Sequence, residues 1–198
     1  MILRDGACVR VRAIRPDDEP RLMALCRRLS PRTLYQRFFS FRRLLPEEAH
    51  AFANVDYGLR MAVVAEVDDG PEPELVGVAR YGPSDEGTAD IGLVVADAWQ
   101  GLGLGSVLLE EILHAGEQRG IHKFSADVLT DNRRALGLIT RHTAITRRSV
   151  AGGVTPRRRH VQHACSASQS CRRISDTQEG GPVKTGRWSF TMRAIARS

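Results

Sequence analysis

No apolar run in this 198-residue chain approaches the roughly 18 residues that a membrane-spanning helix requires, which argues against a membrane protein. Residues 1–15 lack an apolar stretch followed by a small-residue cleavage site, so no signal peptide is read there. No Cys-x-x-Cys pair occurs among Cys8, Cys26, Cys165 and Cys171, which are scattered along the chain. A zinc site or a disulfide framework therefore has little support, no metal is expected, and the thiols read as those of a reduced, cytoplasmic protein. A basic stripe on the folded part, the footprint of a nucleic-acid binder, is missing as well. The net charge is +6, but from His142 onward there are 11 basic and 2 acidic residues, against 18 basic and 21 acidic before it. The basic excess belongs to the end of the chain. A nucleic-acid arm built on Arg157-Arg158-Arg159 and Arg172-Arg173 is the weaker reading of that end, and a solvated segment the stronger.

What is present is one domain with a sizeable core, at a hydrophobic content of 42%. Cys8 to Ile14 alternates apolar and polar residues, the pattern of a half-buried strand. Pro16-Asp17-Asp18-Glu19-Pro20 opens a helix whose Leu22, Leu25, Cys26 and Leu29 share a face. Ser30-Pro31 reads as an N-cap followed by proline at the first helical position, and Leu45-Pro46-Glu47-Glu48 as a further helix start. Met61 to Val67, Glu74 to Tyr81 and Thr88 to Val95 then read as strands joined by short turns, an antiparallel meander. A helix with a stripe of Leu108, Leu109, Ile112 and Leu113 follows and ends at Gly120, then a strand from Lys123 to Leu129 and a helix from Asn132 to Arg141. Ala144 to Val150 reads as one more strand. Thr155 to Gly186 has no apolar periodicity and reads as disordered. The alternation of Trp188, Phe190 and Met192 is either a final strand or chance. The boundaries expected are a folded unit over 1–154 and a basic, low-order tail over 155–198.

The strand ending at Val95 runs into Gln100-Gly101-Leu102-Gly103-Leu104-Gly105, and Ser106 opens the helix. Glycines at alternate positions let successive N–H groups turn toward one point. The loop ends on a helix N-terminus, where unsatisfied donors and the positive end of the dipole favour an anion. This is the chemistry of a phosphate or pyrophosphate cradle, to which Ser106 adds a hydroxyl. One rival is a plain tight strand–helix turn. Another is the dinucleotide-binding fingerprint, with Asp127 at the usual offset. Three hairpin-like strands precede the loop, and Asp127 falls inside a strand, so the second rival fits poorly.

Gln-x-x-Gly-x-Gly after a strand, followed by helix, strand and an Asn-led helix, resembles the GNAT superfamily of N-acetyltransferases over roughly Val9 to Arg141. Ile14-Arg15-Pro16-Asp17-Asp18, Leu29 to Tyr35 with Arg37-Phe38-Phe39, and Val78-Ala79-Arg80-Tyr81 resemble the acetyltransferase domain of bacterial protein-lysine acetyltransferases. The resemblance implies an α/β (α+β) fold with a mixed, mostly antiparallel central sheet flanked by helices. It implies acetyl-CoA as cosubstrate and an amine acceptor, a protein lysine or a small molecule, as partner. The pyrophosphate would meet the amides of Gln100, Gly101, Leu102, Gly103, Leu104, Gly105 and Ser106. Leu93, Val94 and Val95 would pair with the pantetheine like an added strand. Asn132 would reach the pantetheine, or serve only as a helix cap, a role for which Asp131 competes.

An amine must be neutral to attack a thioester, and a lysine of pKa about 10.4 is neutral about once in 2,500 molecules at pH 7, a cost of about 4.6 kcal/mol. The resemblance implies a carboxylate base on the strand before the loop, and Asp90 stands where many relatives carry Glu. Its shorter side chain calls for a bridging water, and burial would have to raise its pKa for it to act as a base. The plain alternative is a solvated residue after a turn. The superfamily's tyrosine acid on the last helix corresponds to Ile139, with Tyr57 and Tyr81 as substitutes or as packed aromatics. The usual closing Gly-Phe is replaced by Thr143-Ala144, a change of texture that a shifted reading frame or late divergence would produce. An enzyme is the leading expectation. A catalytically degenerate domain that binds CoA as a sensor or interaction module is the alternative.

Overall fold

In the computed structural model, residues 2–3, 6–68, 70, 72–84, 88–151 and 189–195 are described. Among these residues, seven strands form one sheet in the order β1-β2-β3-β4-β5-β7-β6. They are β1 (Arg10–Ala13), β2 (Met61–Val67), β3 (Glu74–Pro83), β4 (Ala89–Val95), β5 (Lys123–Leu129), β6 (Ala144–Ala151) and β7 (Ser189–Ile195). The helices are α1 (Glu19–Arg28), α2 (Pro31–Phe38), α3 (Pro46–Ala53), α4 (Leu104–Glu117) and α5 (Arg133–His142). The expected mixed sheet flanked by helices is what forms, antiparallel from β1 to β4 and parallel from β4 onward.

Local signals set most boundaries. Pro16–Asp18 is a single 3-10 turn before α1, not its first α-turn, and Asp18 reaches back to accept the Arg15 N–H at 2.8 Å. Ser30 caps α2, its hydroxyl accepting the Thr33 N–H at 3.2 Å. Glu48 accepts the Leu45 N–H at 3.1 Å at the start of α3. At the end of α4, Gly120 adopts φ +76° and the Ile121 N–H returns to the Gly116 carbonyl at 2.9 Å.

Both faces of the sheet are covered. Met61, Val63, Ala65 and Val67 of β2 join Leu104, Leu108, Leu109, Ile112 and Leu113 of α4 in one core cluster. Ala62 and Val64 point the other way, to Leu22, Leu25, Leu34, Ala49 and Ala53 of α1–α3. Period-2 alternation thus feeds two cores, and all of β2 is buried. A buried polar node ties β1 to β2: Arg12 donates to both Asp18 oxygens at 2.7 and 2.8 Å and to Glu66 at 2.6 Å.

The expectations for the end of the chain divide. Residues 152–188, which include Thr155 to Gly186, Cys165, Cys171 and the paired arginines, lie outside the described residues. Within the stretch expected as tail, Ser189–Ile195 is a strand, inserted between β5 and β6. Met192 is 1% exposed in the α4-side core, so the alternation at Phe190 and Met192 belongs to a real strand. Among the described residues no helix is long and apolar enough to cross a membrane.

Candidate functional site

β4 pairs with β3 along its whole length, from Gly77↔Val95 to Pro83↔Ala89. With β5 it pairs at two positions alone, Ala89↔Phe124 and Asp90↔Ser125. Beyond Asp90 the two parallel strands part, leaving Ile91 to Val95 without a strand partner on that side among the described residues. The helices that follow these strands, α4 and α5, begin at their carboxyl ends. Such a crevice, at the carboxyl ends of diverging parallel strands, is where open α/β sheets hold ligands.

The glycine loop closes this crevice. Leu104 is fully buried and Leu102 packs against the same core, so the alternate leucines anchor the loop inward. Gly101 and Gly103, at φ +85° and +98°, turn the backbone between them, in a region that residues with side chains avoid. Nothing lies within 4 Å of a Cβ built at either. The N–H groups of Gly101, Leu102 and Gly103 have no protein acceptor among the described residues. Those of Leu104 and Gly105 lie in the first turn of α4, which offers them no intrahelical acceptor. The two ends of the loop differ from this pattern, since the Gln100 N–H donates to Asp97 at 3.3 Å and that of Ser106 to Gly103 at 3.0 Å. Five consecutive donors therefore remain, with no acidic side chain among residues 100–106. This donor set fits a pyrophosphate.

The other expected residues fall around the same crevice. Leu93 and Val94 lie on the unaccompanied part of β4, whereas the Val95 carbonyl is taken by the Gln100 side chain at 3.1 Å. Asn132 is the N-cap of α5, its Oδ1 accepting the Ala135 N–H at 3.2 Å. The capping role is thus real, and Asp131 does not fill it. The Nδ2 of Asn132 is not used in the cap. Asp90 sits at the last paired position before the strands part, half-buried, and accepts the Ser125 hydroxyl at 3.2 Å. Ser125 is 2% exposed and in turn faces the Thr88 hydroxyl at 3.4 Å.

Alternation along β4 puts Asp90, Gly92 and Val94 on the α1–α3 face. There the Arg37 guanidinium of α2 rests on Gly92, so closely that a Cβ on Gly92 would lie 2.1 Å from its Nη2. Arg37 also lines a narrow cavity with Cys26, Phe38, Phe52, Arg80 and Val94. Burial pushes the Cys26 thiol up to about 11. The two substitute tyrosines are committed elsewhere: Tyr57 donates to the Ile14 carbonyl at 2.8 Å and Tyr81 to that of Gly58 at 3.0 Å. Ile139 is buried in the core. Sequence reasoning missed Thr33, Asp97 and Ser125. Asp97 accepts hydrogen bonds from the Ser30 amide at 2.8 Å and from the Ser30 and Thr33 hydroxyls at 2.7 Å each. No spacing rule links residues that far apart in the chain.

A family model described as the acetyltransferase (GNAT) family matches residues 28–143. An acetyltransferase of Pseudomonas aeruginosa is 33% identical over 128 residues, covering 63% of this chain and 69% of that protein. The acetyltransferase Pat of Mycolicibacterium smegmatis is 28% identical over 154 residues, 77% of this chain but 46% of Pat, so the chain spans just under half of that relative. Among solved structures, the GNAT domain of S. lividans PAT matches with a TM-score of 0.66 at 32% identity, covering 71% of this chain and 84% of that one. The yncA structure from Salmonella typhimurium, solved with acetyl-CoA, matches in fold with a TM-score of 0.54 at 19% identity, covering 66% and 75% of the two chains.

Proposed function

This chain belongs to the GNAT acetyltransferase family, and on that premise we propose that it moves the acetyl group of acetyl-CoA to a primary amine, with protein lysine the first acceptor to try and a small-molecule amine the second. The observation that carries the reading is the run of five donors from Gly101 to Gly105 above the part of β4 that leaves β5. Acetyl-CoA supplies the activated acetyl group as a thioester. Gly101 to Gly105 would hold its pyrophosphate, the edge at Leu93 and Val94 its pantetheine, and Asn132 would add its Nδ2. The hydroxyl of Ser106 would supplement the loop. Asp90, oriented by Ser125, would take the ammonium proton through one water, since an Asp is too short to span the distance a Glu covers. Protein lysine comes first because residues 14–18, 29–35, 37–39 and 78–81 resemble the acetyltransferase domain of bacterial protein-lysine acetyltransferases.

Calorimetry with acetyl-CoA tests the cofactor site. Wild type binds, and Gly103→Glu, which forces a side chain into the left-handed region and adds a negative charge, weakens binding by at least about tenfold. No binding by wild type, or none lost in Gly103→Glu, sinks the reading. Mass spectrometry of lysine peptides and small amines incubated with acetyl-CoA tests the transfer. Asp90→Ala lowers turnover by about 10²- to 10⁴-fold, the usual size for a general base, while acetyl-CoA affinity stays near wild type. The chain itself holds two lysines, Lys123 and Lys184, so self-labelling is easily told apart by mass.

A second reading has its own support: Ile139 is a core residue, and both candidate tyrosine acids donate to main-chain carbonyls. On that reading the domain holds CoA without turnover. Firm acetyl-CoA binding with no acetylated product from either acceptor class favours it.

A further inference from the structure

We propose that the side chains of Gln100 and Thr33 are positioning residues for the glycine loop, locking it to α2 so that its donors are aligned before the cofactor arrives. This inference rests on the reading of residues 101–105 as the pyrophosphate cradle. All the hydrogen-bonding capacity of the Gln100 amide nitrogen is used: Nε2 donates to the Thr33 hydroxyl at 3.2 Å and to the Val95 carbonyl at 3.1 Å. Its Oε1 accepts from Arg134 of α5 at 3.2 Å. Thr33 is 7% exposed and gives its own proton to Asp97 at 2.7 Å. The chain Arg134→Gln100→Thr33→Asp97 therefore has one direction. Reversing the Gln100 amide would set an oxygen against the Val95 carbonyl and an NH₂ against the Arg134 guanidinium.

This arrangement pins the residue just before Gly101 from three elements at once: α2, the end of β4 and the start of α5. The loop needs such a tether. Gly101 and Gly103 have open space around them, and glycine backbone is the least restrained of all. Beyond the tether, its packing anchors are Leu102 and Leu104. A loop already ordered loses less entropy when it closes on an anion, so part of the binding affinity resides in Thr33, a residue outside the loop. A second consequence is that the helix carrying Arg37, which rests on Gly92 beside Asp90, is tied to the cofactor side through the same hydroxyl.

The test is calorimetric titration with acetyl-CoA together with thermal melting of the free protein, for wild type, Thr33→Val, Thr33→Ser and Gln100→Glu. Thr33→Val keeps the shape and removes the hydroxyl. It is expected to raise the acetyl-CoA Kd about tenfold, the size expected from one or two lost hydrogen bonds, while Thr33→Ser stays within about threefold of wild type. Gln100→Glu, at a partly exposed position where folding is safer, replaces both Nε2 donors by an acceptor and sets a negative charge beside the cradle, so it is expected to weaken binding at least as much. A merely structural role would lower the melting temperature and leave Kd alone. Wild-type Kd in both Thr33→Val and Gln100→Glu overturns the inference while leaving the cofactor reading intact. Absence of acetyl-CoA binding by wild type overturns both.

Discussion

Gly101 and Gly103 need the left-handed backbone, at φ +85° and +98°, but Gly105 lies inside α4 and a Cβ there would meet Leu138 at an ordinary 3.5 Å. One motif thus contains glycines kept for conformation and one that packing alone does not require. Other glycines in the chain are kept for space. At Gly77 a Cβ would lie 2.8 Å from Leu108 and 3.3 Å from the Val94 carbonyl, and at Gly116 it would lie 2.7 Å from the Phe124 ring. Leu108 and Phe124 are fully buried and have little room to yield. Urea denaturation should find Gly77→Ala and Gly116→Ala destabilised by about 1–3 kcal/mol. Gly105→Ala should stay within about 0.5 kcal/mol of wild type. The loop was legible in the sequence because its glycines, glutamine and flanking elements are contiguous. Thr33, Asp97 and Ser125 were not, because their roles arise from contacts made across the fold, such as Thr33 to Asp97 over 64 positions. Asn132 was legible as a residue, and the structure added that its Oδ1 is already engaged in the cap.

Among the elements, β1, the turn before α1, and β2 are joined by a charge cluster that spacing does not reveal. Asp18 is fully buried and Glu66 is 5% exposed, and Arg12 bonds to both. Burial by itself raises the Asp18 pKa, but the Arg12 hydrogen bonds, the Arg15 amide and the charges of Arg12 and Arg21 outweigh it and hold the carboxyl below the usual range. An unfolded Asp titrates near 3.9, so this contribution is complete above about pH 4 and is lost as pH falls through the lower folded value. Urea unfolding followed from about pH 5 to about pH 2 should show stability declining with acid. Asp18→Asn should be about 3 kcal/mol less stable at neutral pH, the low end for breaking a buried pair because Glu66 remains, and should lose less on acidification. An equally steep acid loss in the variant would place the titration elsewhere. The elements themselves were largely legible: α2 and α3 begin where their caps put them, and β2 and β5 begin and end at the residues that the sequence pattern marks. The first turn of α1 was misjudged because Asp18 bends back to Arg15, tightening the backbone to a 3-10 turn.

At the scale of the molecule, the sheet changes character at β4, antiparallel before it and parallel after, and the crevice opens at that change. The antiparallel half could be read from short turns joining consecutive strands. The parallel half could not be read in full, because β7 finds its partners by inserting between two strands that precede it in the chain. That insertion has a consequence for how the protein is made. β5 and β6 have each left the ribosome long before Ser189–Ile195 arrives to zip them together, with residues 152–188 synthesised in between. Until then two strand edges stand open, and such edges recruit other chains. Pairings this distant in sequence also form slowly. Deleting residues 189–198 should therefore move the protein from monodisperse to aggregated in size-exclusion chromatography after expression. A deletion variant that elutes like wild type would show that β5 and β6 close without it. With the expected aggregation, the strand Ser189–Ile195 is the seal on the sheet, and the yield of well-folded protein depends on how soon it joins β5 and β6 and on chaperones that shield the gap meanwhile.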